Sequence, residues 1–121
     1  MLKRKDRTIE LYLVAGAWMR LLKHVYGRTL VELDKVFPAE KESVLFNIDR
    51  KIGKISSDVE NHMFEDYPKL SNDYLSVFYG DVHVNRRDND VDKKIHIIIE
   101  ELLRDIIEKN KGVYSENERE Q

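Results

Sequence analysis

The chain contains no cysteine, which excludes disulfides, thiolate metal sites and a cysteine nucleophile. Only two prolines and five glycines occur in 121 residues, so residues that break helices are scarce. Neither sign of charge dominates: 21 Lys and Arg stand against 23 Asp and Glu, for a net charge of −2. Bulk charge therefore does not mark the domain as a polyanion binder. The uncharged stretch Leu11–Met19 falls short of the roughly 20 residues that a bilayer span needs. No glycine-rich phosphate loop and no Gly-x-Ser-x-Gly elbow occurs. Ser56, Ser57, Ser71 and Ser76 lack any triad context.

What is present points to helices. Charged residues make up 36% of the chain, above the roughly 25% typical of globular domains. Long helices with charged outer faces account for that excess, because Lys, Glu and Arg are good helix formers. The lead Lys3, Arg4, Lys5 and Arg7, followed by an apolar stretch, has the outline of a signal peptide. Asp6 and Glu10 interrupt it, and Arg20 and Lys23 follow with no small-residue cleavage site. The expectation is a soluble cytoplasmic protein without membrane association.

The stretch from Leu11 to Leu22 organises the rest. At a helical period, Leu11, Val14, Ala15, Trp18, Leu21, Leu22 and Val25 fall on one broad face, which Tyr12, Met19 and Tyr26 widen. A first helix over about 7–26 follows, buried on several sides and therefore central. Arg20, Lys23, His24 and Arg28 fall on or beside its polar stripe. Gly27 predicts a break or kink, with 29–37 a short helix or a continuation, stopped at Pro38.

A second long helix is predicted over about 39–64, where Leu45, Ile48, Ile52, Ile55 and Val59 repeat at spacings of three and four. That is the seam of a helix packed in coiled-coil fashion. Tyr67-Pro68 ends it. Residues 74–84 fit a short helix capped by Ser71, or a hairpin turning at Gly80-Asp81; the helix is favoured because an isolated hairpin is marginal. A third long helix over about 91–109, capped by Asn89 or Asp90, buries Ile95, Ile98, Ile99, Leu102, Leu103 and Ile106, and stops at Gly112. The expected fold is an all-α bundle of three long helices plus one or two short ones, a single domain over 1–112 with a disordered tail at 113–121.

Three constellations bear on function. Asp58, His62 and Asp66 are spaced four apart, and so are Asp92, His96 and Glu100. If the trios packed together, His62, Asp66, His96 and Glu100 would be the candidate ligands of a metal-dependent enzyme. In so charged a chain such spacings also arise by chance, and no cofactor is predicted. Residues 29–53 have the outline of a DNA-binding helix-turn-helix, with Arg50, Lys51 and Lys54 nearby. Glu40 and Glu42, at the start of the would-be recognition helix, would face phosphates, so nucleic acid is the less favoured partner. Finally, Tyr74, Phe78 and Tyr79, with Arg86 and Arg87, are of the types enriched in interface hot spots. The first helix also has more apolar surface than two neighbours cover, which predicts a homodimer. The favoured reading is a non-enzymatic protein-interaction or regulatory module that self-associates.

Overall fold

A computed structural model describes the backbone of residues 1–120 and the side chains of residues 1–109. Three long helices dominate: α1 (Ile9–Asp34), α2 (Glu42–Asp66) and α3 (Asp90–Glu120), with short 3-10 turns at Arg4–Asp6, Ala39–Lys41 and Asn72–Ser76. The described residues contain no strand. The fold is thus all-α, with α1 packed against both α2 and α3.

Each helix begins and ends where its local chemistry dictates. Thr8 caps α1, its hydroxyl accepting from the Leu11 amide at 3.3 Å. Pro38 lies in the turn that ends the α1 region and opens the 3-10 turn before α2. Tyr67, restricted by Pro68, closes α2. At the start of α3, the Asn89 side chain accepts from the Asp92 amide at 2.8 Å, and the Asp92 side chain accepts from the Asn89 amide at 3.3 Å. This reciprocal pair is a capping box.

α1 is one helix through Gly27 to Asp34 rather than a broken pair. A lone glycine costs about 1 kcal/mol in a helix, and packing along α2 offsets it. The backbone of α3 continues past Gly112, where a stop is predicted. The expected division between a 1–112 domain and a tail at 113–121 concerns side chains outside the described residues.

α2 runs antiparallel to α1. Near one end Tyr12 Oη bonds His62 Nδ1 at 2.8 Å; near the other Tyr26 Oη donates to the Leu45 carbonyl at 2.6 Å. α3 packs against α1, and the Arg20–Asp92 contact joins its first turn to the middle of α1. The segment between α2 and α3 crosses one face of α1 and inserts Val77 and Phe78 into the core. Gly16 permits this approach, since a Cβ there would lie 2.5 Å from Val77 Cγ1.

The buried face of α1 differs from the predicted one. Tyr12, Leu13, Gly16, Ala17, Arg20 and Leu21 are buried. Leu11 (45%), Trp18 (47%), Leu22 (46%) and Val25 (58%) are exposed. On α2, Ile52 is buried, but Ile48 and Ile55 are exposed. On α3, Val91, Ile95 and Ile99 are buried, whereas Leu103 and Ile106 are exposed. The cause lies in α1: from Leu11 to Met19 it carries no charge on any side, and the inter-helix segment covers the side that carries small residues and one arginine.

Candidate protein-interaction face

Arg20 decides which side of α1 faces inward. The residue is 2% exposed, and its guanidinium donates to four acceptors. These are the carbonyls of Val77 (3.0 Å), Asp81 (3.1 Å) and Ser76 (2.7 Å) and the Asp92 carboxylate (2.8 Å). A buried cation is tolerable only with such complete pairing. Ser76 Oγ donates to the same Asp92 oxygen at 2.8 Å. Burial pushes Asp92 up, but the hydrogen bonds from Arg20, Ser76 and the Asn89 backbone outweigh it and hold the carboxyl below its ordinary value. Lys23 extends the latch by donating to the Phe78 carbonyl at 2.9 Å, with Nζ 4.3 Å from the Tyr79 ring centre. Partial burial lowers the Lys23 pKa, and Asp49 and Glu60 of α2 oppose that shift.

With one side of α1 latched, the opposite side is left open. Leu11, Ala15, Trp18, Leu22 and Val25 recur at intervals of four and three, the period of a helix-packing seam. Their stripe lies about 140–180° round the helix from Arg20 and is centred about 120° from Lys23, at 3.6 residues per turn. α2 contributes to the same opening. Glu60 lines a cleft with Asn72, Leu75, Ser76 and Tyr79 and, like Asp49, opposes the lowering of the Lys23 pKa, so this flank of α2 faces the inter-helix segment. Exposed Ile48 and Ile55 lie about 100–140° round α2 from those acids, on the other flank. The result is an apolar face in a chain whose surface is otherwise densely charged. Exposed apolar surface of this continuity marks interaction sites.

A second cluster ties α1 to the end of α2. Arg7 makes two parallel hydrogen bonds to Asp66, at 2.7 and 2.9 Å. Tyr12 Oη donates to the same carboxylate and meets His62 Nδ1. The Arg7 hydrogen bonds, then that from Tyr12, hold Asp66 well below the carboxylate range. Burial, followed by the adjacent Asp66, pushes Tyr12 up to about 12. All of these bonds lie within the chain, which makes the cluster a structural clasp.

The predicted site residues are scattered. Phe78 is 1% exposed and belongs to the core, so it is no surface contact. Tyr74 is half-buried and packs on the core, while Tyr79, Arg86 and Arg87 are exposed. Arg87 lines a small polar cleft of about 180 Å³ beside Asp88 and Asp92. His62 is held by Tyr12, and Asp66 by Arg7. His96 is buried with its Nε2 3.2 Å from Asp88 Oδ2, Asp92 belongs to Arg20, and Glu100 is exposed. The two trios do not converge, and no cluster of three or more His, Asp or Glu suited to a metal ion occurs among the described residues. Residues 29–53 form the tip of the antiparallel α1–α2 hairpin, whereas a helix-turn-helix needs its helices strongly angled. At that tip a cleft of about 250 Å³ is lined by Leu30, Val31, Leu45 and Phe46, with Asp34 and Glu42 at its edge. Among the described residues no helix is long and apolar enough to cross a membrane.

Sequence reasoning missed Trp18, Leu22 and Val25 as surface residues because it read their stripe as core. The signal that distinguishes the two sides is the string Gly16, Ala17 and Arg20: small residues for close approach, and one long cation to grip a crossing backbone. No family model, curated protein or solved structure matches the chain.

Proposed function

We propose that this protein is a non-enzymatic interaction module that docks a helical protein surface on the open face of α1. One observation carries this reading: Trp18 stands 47% exposed in the middle of an apolar stripe that no other part of the described chain covers. Tryptophan is the residue most enriched at interface hot spots, and energetic anchors cluster near interface centres. Ile48 and Ile55 widen the apolar area, and the charged outer faces of α2 and α3 supply a polar rim. The latch at Arg20 and the clasp at Asp66 hold the backbone beneath this face through hydrogen bonds internal to the chain, which leaves the face pre-formed for a partner.

The test is site-specific photo-crosslinking in the native host. A photoreactive phenylalanine analogue replacing Leu22 is expected to give discrete protein adducts, whether with another copy or with a different chain. The same analogue replacing Lys94, on the exposed side of α3, is the control. Equal labelling at both sites, or none at either, would remove the proposal.

A further inference from the structure

We infer that the occupant of the open α1 face is a second copy of this chain, related by a two-fold axis through Trp18 with the two α1 helices antiparallel. This deepens the interaction-module reading and rests on it.

The stripe is close to self-complementary. Leu11 and Val25 each lie seven residues from Trp18. A two-fold at Trp18 therefore sets Leu11 of one copy against Val25 of the other, twice, with Trp18 meeting its counterpart. Isologous interfaces have this property, each patch being its own partner.

Charge follows the same symmetry on α2. Tyr12 sits opposite His62 and Tyr26 opposite Leu45, which places Ile55 at the level of Trp18. Lys51 lies four residues before Ile55 and Asp58 three after it, both exposed and on the flank beside the open face. An antiparallel two-fold sets α2 of one copy against α2 of the other and brings Lys51 of one towards Asp58 of the other, again twice; a parallel two-fold carries the α2 helices to opposite sides and makes neither pair. A net charge of only −2 adds little repulsion between copies.

The area is sufficient. From Leu11 to Val25 the stripe rises about 21 Å, and three helices side by side span roughly 28 Å. That is roughly 600 Å² per copy, at the lower end of the roughly 1,200 Å² total buried in stable interfaces.

The experiment uses the full chain, whose lack of cysteine allows engineered thiols to report alone. Light scattering and sedimentation equilibrium are expected to give a dimer. Leu22→Glu should weaken it by at least about 30-fold, the effect of losing a hot spot, with helical circular dichroism unchanged. Lys51→Glu and Asp58→Lys should each weaken the dimer, and the double variant should recover it. Under mild oxidation Trp18→Cys should crosslink to itself. Leu11→Cys should crosslink to Val25→Cys but not to itself. A monomer at all concentrations overturns the inference, as does a dimer indifferent to Leu22→Glu or one in which Leu11→Cys crosslinks to itself. A monomer that still gives adducts with a different chain in cells, at position 22 but not 94, rejects the second copy and leaves the interaction module standing.

Discussion

Arg20 and Asp92 meet at 2.8 Å inside the bundle, 1% and 13% exposed respectively at their side chains, and through this pair α1 grips both α3 and the segment before it. Removing one member of a buried, hydrogen-bonded ion pair leaves the other uncompensated. Arg20→Met is therefore expected to destabilise the fold by about 3–5 kcal/mol, read as a lowered urea midpoint by circular dichroism. Asp92→Asn should cost less, because the amide oxygen can still accept from Arg20. Gly80→Ala should also destabilise, since a Cβ at Gly80 would lie 2.5 Å from Arg20 Nη2.

The glycines separate by environment in the same way. A Cβ at Gly27 or Gly53 would meet nothing within 4 Å, whereas at Gly16 that atom would lie 2.7 Å from the Val77 carbonyl oxygen. Gly27→Ala and Gly53→Ala should each stabilise by about 0.5–1 kcal/mol through helix propensity. Gly16→Ala should destabilise by about 1–3 kcal/mol through overpacking. Thermal melts of the three variants, compared at one protein concentration, check this.

Adjacent residues in the inter-helix segment should also behave oppositely. Phe78 lies in the core and Tyr79 is half exposed. Phe78→Ala is expected to cost about 3–5 kcal/mol. Tyr79→Ala should cost about 1 kcal/mol or less, the scale of an exposed cation–π contact with Lys23. Chemical denaturation of both variants tests the contrast.

These residues also mark how far the sequence was legible. Spacings of three and four in α2 and α3, and scarce prolines, were enough for three long helices with the first in the middle. They were not enough for the orientation of α1, because periodicity shows where apolar residues repeat but not which repeat is covered. Leu13 and Ala17 look no more buried in sequence than Trp18 and Leu22. What covers one side is the irregular segment around Val77, held by the long-range bonds of Arg20 to backbone carbonyls, and backbone acceptors carry no sequence signature. The two His and carboxylate trios, weighed as the less favoured metal alternative, stay apart for a related reason: spacing places Asp66 and His62 on one helix face, but Arg7 and Tyr12 come from 50 or more residues away to engage them.

Acid should loosen the fold through Asp66 and Asp92. Both carboxyls are held below their ordinary range, by Arg7 and Tyr12 in one case and, against burial, by Arg20, Ser76 and Asn89 in the other. A depressed folded-state pKa means that the unfolded chain takes up protons first as pH falls. The stabilisation is thus fully present above the unfolded value of about 3.9 and is lost progressively below it. The melting temperature is expected to be flat with respect to these two groups between pH 5 and 7 and to fall towards pH 3. The difference between the native chain and Asp66→Asn should shrink over the same interval. A difference that stays constant to pH 3 would mean that the Arg7–Asp66 clasp contributes no pH-dependent stability.

Self-association through α1 has a thermodynamic signature besides mass. A partner that binds only the folded state raises stability by mass action, so the melting temperature of a dimer climbs with protein concentration. The native chain should show that climb. Leu22→Glu should show much less of it, because its dimer is weakened; Leu22 itself is 46% exposed in the single chain and lies outside the core cluster. At high dilution the two curves should converge, since a surface substitution outside the core changes intrinsic stability by only about 0.5 kcal/mol. Trp18 emission provides an independent reading: half exposed in the single chain, it should shift to shorter wavelength as the native protein is concentrated, and stay put in Leu22→Glu. If the melting temperature climbs equally in both proteins, the copies associate through some other surface, and the hairpin tip around Phe46, 57% exposed, becomes the next place to mutate.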